Sequence, residues 1–135
     1  MPPQNPILVT PSSTLGSNSS GAQTQGMTRQ NALVNVSSNI CATRMIAAPH
    51  TASAIHHHGE ENTIVFAFSG QGTIVSEGGT KKQVLMPGDF ALIPAWAEHQ
   101  EVNETDEEVV WAIVRSGREP VVVNLDEEGG WGSSV

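Results

Sequence analysis

The chain predicts an all-β fold, an antiparallel sandwich or closed barrel, and three observations predict it. About ten short runs rich in Val, Ile, Thr and Phe follow one another between residues 32 and 124. Turn residues punctuate them: Ala48-Pro49, Gly59, Ser69-Gly70, Glu77-Gly78-Gly79, Pro87-Gly88, Asn103 to Asp106 and Ser116-Gly117. No stretch shows the apolar period of an amphipathic helix. A sheet closed on itself accommodates such strands and leaves no exposed edges.

Residues 1–28 form an N-terminal arm rich in Pro, Ser, Asn, Gln, Gly and Thr. That composition cannot offset its ordering entropy, so the arm is expected to be flexible. Its apolar island, Ile7-Leu8-Val9, is able to add a strand to a neighbouring subunit. The barrel is expected over residues 29–125, with strands near 32–36, 40–47, 51–58, 63–69, 72–76, 82–86, 90–93, 99–103, 108–115 and 120–124. Phe66 and Phe68 flank Ala67 on one face of their strand, and Lys81-Lys82 belongs to a hairpin turn. Residues 126–135 are a flexible tail whose Trp131 is expected to cap the outer surface.

Six basic residues stand against fourteen acidic ones, a formal net charge of −8. That balance repels a phosphate backbone or an anionic membrane surface, so neither nucleic acid nor membrane is an expected partner. No run is long and apolar enough to span a bilayer, and the first residues lack a secretory layout. A cytoplasmic location is expected. Cys41 is the single cysteine, which excludes an internal disulfide and a thiolate zinc cluster and leaves a buried structural thiol.

Chemistry concentrates at Ile55-His56-His57-His58-Gly59-Glu60-Glu61. On a strand His56 and His58 share one face and His57 takes the other. Paired imidazoles fill an apolar interior poorly but grip a first-row divalent ion well. A second cluster runs from Gly88 to Asn103, where His99 and Glu101 share a face. His56, His58, His99 and Glu101 therefore make a candidate ligand set of three nitrogens and one oxygen for a single Fe, Mn, Ni, Co or Zn ion. Glu61 and Glu60 are alternative fourth ligands, as is water. Arg44 and Arg115 sit in apolar strands, so each should meet a carboxylate of the protein or of a ligand. His50 has the parity to approach the barrel mouth, and Trp96 precedes His99 closely enough to line a substrate pocket.

The two clusters resemble the paired motifs of the cupin superfamily. His56, His58 and Gly70 match the first motif, and Gly88, Pro94, His99 and Asn103 match the second. His50 replaces the opening glycine, Trp96 replaces the glycine of the Pro-x-Gly turn, and Thr63 stands where the family has a metal-binding glutamate. Pirin-like cupins are similar in carrying that threonine, with a glutamate at the place of Glu101 completing the site. The resemblance implies a double-stranded β-helix (jelly-roll) barrel, commonly a homodimer, holding one metal ion.

It also implies a metal-dependent enzyme acting on a small molecule, foremost a dioxygenase of an aromatic or enol-type, natural-product-like substrate. Glu101, Glu61 or Glu60 would be the catalytic carboxylate when not bound to metal, and Trp96, Thr63, His50 and Arg44 would line the substrate. Low lysine content and apolar aromatics agree with a phenolic or polyketide-like compound. The alternatives are a non-oxidative Lewis-acid enzyme and a non-catalytic small-molecule receptor.

Overall fold

The computed structural model describes residues 3–17 and 26–134. Eleven strands are present among them: β1 (Met27–Leu33), β2 (Cys41–Ala47), β3 (Thr51–Ala52), β4 (His56–His57), β5 (Thr63–Ser69), β6 (Gly72–Ser76), β7 (Lys81–Leu85), β8 (Phe90–Ile93), β9 (His99–Asn103), β10 (Val109–Arg115) and β11 (Val123–Asn124). They form two antiparallel sheets, one ordered β1-β2-β10-β5-β8 and the other β11-β4-β9-β6-β7, with β3 also on β9. The architecture is the all-β jelly roll that the two motifs imply.

Alternation of side chains builds the interior. In β10, Val109, Trp111, Ile113 and Arg115 are buried while the residues between them are more exposed. Cys41, Thr43, Met45 and Ala47 of β2 point the same way, as do Thr63, Val65 and Ala67 of β5. The apolar core gathers Met27, Met45, Val65, Ala67, Ile74, Leu85, Ile93, Val109, Trp111 and Ile113. Gly72 makes room for Trp111, because a Cβ there would stand 2.5 Å from the indole Cζ2. The interior is thus apolar towards Val109 and polar towards Arg115.

Three runs differ most from the sequence expectation, and Lys81-Lys82, expected in a turn, opens β7. β1 begins at Met27, inside the stretch assigned to the arm, and ends at Leu33 rather than spanning 32–36. Its Arg29 and Gln30 look like loop residues in isolation, yet they pair with Met45 and Arg44 of β2. The expected run 51–58 divides into β3 and β4, both laid along β9. The last run contracts to Val123–Asn124.

Within the arm, Ser12–Ser17 forms a 3-10 turn, Leu15 is buried, and the Thr10 hydroxyl donates to Ala32 O at 2.7 Å. Ile7 and Val9 are exposed. Residues 1–2 and 18–25 of the arm and Val135 of the tail lie outside the described residues. At the other end Glu98 receives Gly132 N–H at 2.6 Å and also accepts from the Ser134 hydroxyl. Trp131 is half-buried beside Gly79 at the β6–β7 turn, on the outside of the barrel.

Candidate metal centre

β4 and β9 bring the candidate ligands together. His56 pairs directly with His99, and Glu101 follows His99 by one strand period on the inner face of β9. One donor atom from each of His56, His58, His99 and Glu101 lies within 4.8 Å of every other, and all four side chains are buried. The three imidazole rings stand 4.3 to 5.0 Å apart between centroids.

The hydrogen bonds assign the tautomers. Nδ1 of His56 lies 2.7 Å from Ala54 O, Nδ1 of His58 lies 2.8 Å from Val121 O, and Nδ1 of His99 lies 2.9 Å from Ala97 O. A carbonyl only accepts, so each Nδ1 carries the proton and each neutral ring turns its Nε2 lone pair inward. None of the three Nε2 atoms has a hydrogen-bond partner. Buried acceptors left unpaired are costly, and three aimed at one point fit a shared cation. His58 in particular stays neutral: burial first, then the charge of Arg115, lower its pKa to about 2.

Glu101 is held from several sides. Its backbone N–H donates to Ser53 Oγ at 3.0 Å, and that hydroxyl lies 3.0 Å from Oε2. Arg29 Nη2 stands 3.5 Å from Oε2, and His56 Nε2 lies 3.1 Å from it. Burial by itself would raise the carboxyl, but its surroundings, the Arg29 guanidinium at 3.5 Å among them, outweigh it and hold the group well below the usual carboxylate range. Arg29 and Ser53 escape a reading of the sequence. Arg29 lies in a polar stretch, and Ser53 belongs to no motif.

The other expected site residues are placed differently. Thr63 is buried on the inner face, directly across from Arg115, and its hydroxyl lacks a partner. Trp96 lines a cavity of about 910 Å³, which opens between the edges of β7 and β8 and has His99 in its wall. It adopts φ 67°, a conformation suited to the glycine it replaces, held by its N–H on Gly59 O at 2.8 Å and by its ring against His57 at 5.3 Å. His57 faces away from the cluster, as its parity requires, and accepts Gly59 N–H at Nδ1.

Arg44 and His50 are corrections. Arg44 is on the outer face of β2, where Nε donates to Gln30 Oε1 at 2.8 Å, because the buried parity of that strand belongs to Thr43 and Met45. His50 sits exposed in a turn and pairs with Asp106 at 2.6 Å. Glu61 is buried but outside the four-residue cluster, with Oε1 accepting Val121 N–H at 2.9 Å, and burial raises its carboxyl. Glu60 is exposed. The Cys41 thiol is buried and raised, first by that burial and then by Glu61, as befits a structural residue.

Comparison with known proteins agrees with this geometry. A gentisate 1,2-dioxygenase from Aquipseudomonas alcaligenes is 27% identical over 79 residues, 58% of this chain and 22% of the relative. The chain thus spans about a fifth of the length of that curated relative. A cupin 2 conserved barrel domain protein from Salinispora arenicola superposes with a TM-score of 0.66 at 24% identity, over 83% of this chain and 90% of the other. The polyketide cyclase RemF from Streptomyces resistomycificus superposes with a TM-score of 0.65 at 17% identity, over 75% and 72%. These two likenesses show the fold. Residues 43–115, more than half of the sequence, match the cupin domain family itself, and the chain belongs to that family.

Proposed function

We propose that the protein is a metal-dependent enzyme for a small organic molecule, foremost a dioxygenase of an aromatic or enol-type substrate. The observation that carries the reading is the convergence of three unpartnered Nε2 atoms and the Glu101 carboxylate in the buried interior. This donor set suits iron(II), manganese, nickel, cobalt or zinc. When bound, such an ion supplies Lewis acidity and, for a redox metal, a site for oxygen chemistry.

The chain's own residues do the rest. Ala54, Val121 and Ala97 carbonyls fix the imidazole tautomers. Ser53 and Arg29 keep Glu101 ionised and oriented, as partners of ligating groups do. The cavity beside His99 admits substrate past Trp96, Ile93 and Leu85, whose apolar surfaces suit a flat phenolic ring. The gentisate dioxygenase relative supports the oxidative choice. A non-oxidative Lewis-acid reaction is the second reading, favoured by the likeness in shape to a polyketide cyclase.

A homodimer completes the proposal. Ile64, Phe68, Phe90 and Leu92 are exposed together on the outer face of β5 and β8, and the Phe66 ring packs tilted against that of Phe90 at 4.8 Å. An apolar sheet face of this kind marks an interface, and a second copy presents the matching surface.

Elemental analysis after anaerobic purification, followed by oxygen-uptake assays over a panel of phenols, tests the function. Stoichiometric metal with oxygen consumed supports the dioxygenase, and turnover without oxygen supports the second reading. His56→Ala or His99→Ala should strip the metal while the circular dichroism stays that of a barrel. Full occupancy in either variant would overturn the proposed centre.

A further inference from the structure

The segment 125–134 supplies part of the wall of the cavity beside His99, where Gly132 and Ser134 stand with Ser76, Glu98 and His99. Its two ends are held differently. Leu125 is buried, its N–H donates to Ile55 O at 2.7 Å, and Asp126 Oδ1 accepts the Ile55 N–H at 3.0 Å. The far end hangs on one side chain. Among the described residues, every hydrogen bond from 131–134 to residues outside the segment ends on Glu98: Oε1 accepts Gly132 N–H at 2.6 Å, and Oε2 accepts Ser134 N–H at 3.2 Å and the Ser134 hydroxyl.

Little stiffens the chain between the two holds. Gly130 and Gly132 flank Trp131 at φ 76° and 83°, where a residue without a Cβ turns freely. Trp131 is only half-buried, its indole resting near Gly79 at the β6–β7 turn. A segment with so few buried apolar contacts opens locally at low cost. Hydrogen bonds to a carboxylate are among the stronger ones, so Glu98 suffices to keep it shut. The latch also sits at the reactive end of the cavity: Glu98 directly precedes His99, and Ser76 lies across from His99 in the β6–β9 register.

We infer that residues 130–134 are a hinged strap, latched on Glu98, which walls the His99 end of the cavity and must lift before a bulky ligand enters. Glu98 is thereby a specificity-determining residue for ligand size, acting through the strap. That role rests on the cavity being the route of the substrate, as in the proposed function.

Access to the cavity is measured without metal or substrate. Ser76→Cys places a thiol in the wall, and two neutral reagents of one chemistry, N-ethylmaleimide and N-pyrenylmaleimide, probe it by size; Cys41 is buried. In that background Glu98→Ala should speed the pyrenyl reagent by about tenfold or more, the scale of losing hydrogen bonds to a charged group. The ethyl reagent should gain far less. The ratio of the two rates cancels any change in the reactivity of the thiol itself. Ser134→Ala, which removes one of the three bonds, should move the ratio the same way by a smaller factor, and it serves if Glu98→Ala does not fold. A ratio unchanged in both variants would overturn the strap. These rates do not depend on a metal, so a protein that binds none sinks the metal reading alone, and bound metal with an unchanged ratio sinks the strap alone.

Discussion

His56 Nε2 and Glu101 Oε2 face each other at 3.1 Å in the closed interior, outside hydrogen-bonding geometry. With the His56 proton on Nδ1, both atoms present lone pairs, and they repel unless a cation lies between them. A proton there makes an ion pair; a metal ion makes two ligands of one centre. The inward Nε2 atoms of His58 and His99 decide for the second in the proposed function, since one proton cannot serve all three rings.

Ser53 binds the Glu101 backbone and side chain with one hydroxyl. Ser53→Ala should leave a buried N–H without an acceptor, at a cost of about 1–3 kcal/mol in urea unfolding. Metal affinity should weaken by about 10- to 100-fold, the usual effect of losing a group that orients a ligand. Competition with a chelator measures it, and an affinity equal to the parent's would free Glu101 from dependence on Ser53.

Arg29 and Glu101 form a buried ion pair, each almost wholly inaccessible. Arg29→Met should destabilise the metal-free protein by about 3–5 kcal/mol, because it strands the carboxylate. The double variant Arg29→Met with Glu101→Gln should recover much of that loss. Additive costs in the cycle would show that the two side chains do not interact.

Phe68 and Phe90 are the most exposed aromatic side chains of the outer face. Phe68→Asp combined with Phe90→Asp should convert a dimer into monomers in sedimentation velocity, with metal content retained. A monomeric parent protein, or a variant that remains dimeric, would move the interface elsewhere.

Glu98 fastens the tail next to His99, and its carboxyl lies below its ordinary value of 4.5, first through the Ser134 hydroxyl and then through Gly132 N–H. A folded-state pKa below the unfolded one gives a contribution that is complete above the ordinary value and fades as pH falls through the lowered one. Trp131 fluorescence should therefore hold steady from neutral pH down to about 5 and change only in stronger acid. Glu98→Gln should loosen residues 130–134 at neutral pH, seen as faster amide exchange, and the difference from the parent should shrink in strong acid. A tail that exchanges equally fast in both proteins would end this assignment.

Much of the centre was legible because a strand has a period of two. His56 with His58, and His99 with Glu101, fall on shared faces by counting alone, and the turns around them announce short strands. The same arithmetic misplaced Arg44, since parity names a face without saying which face is inner. β2 turns Thr43 and Met45 inward, so Arg44 is outside, whereas Arg115 shares the inward parity of Trp111 and Ile113. His50 depended on a turn, where a φ of 55° carries the ring out to Asp106.

By itself the sequence determined an all-β chain, an acidic surface, and one cluster of imidazoles with a carboxylate nearby, because composition and periodicity are local properties. Only the tertiary structure decided which polar residues the barrel encloses. Arg29 enters through the pairing of β1 with β2, Ser53 through the approach of β3 to β9, and Arg115 is left without a partner because Thr63 faces it. Those relations join residues far apart in the chain, and the low-dielectric interior they share makes each charge there depend on its neighbours.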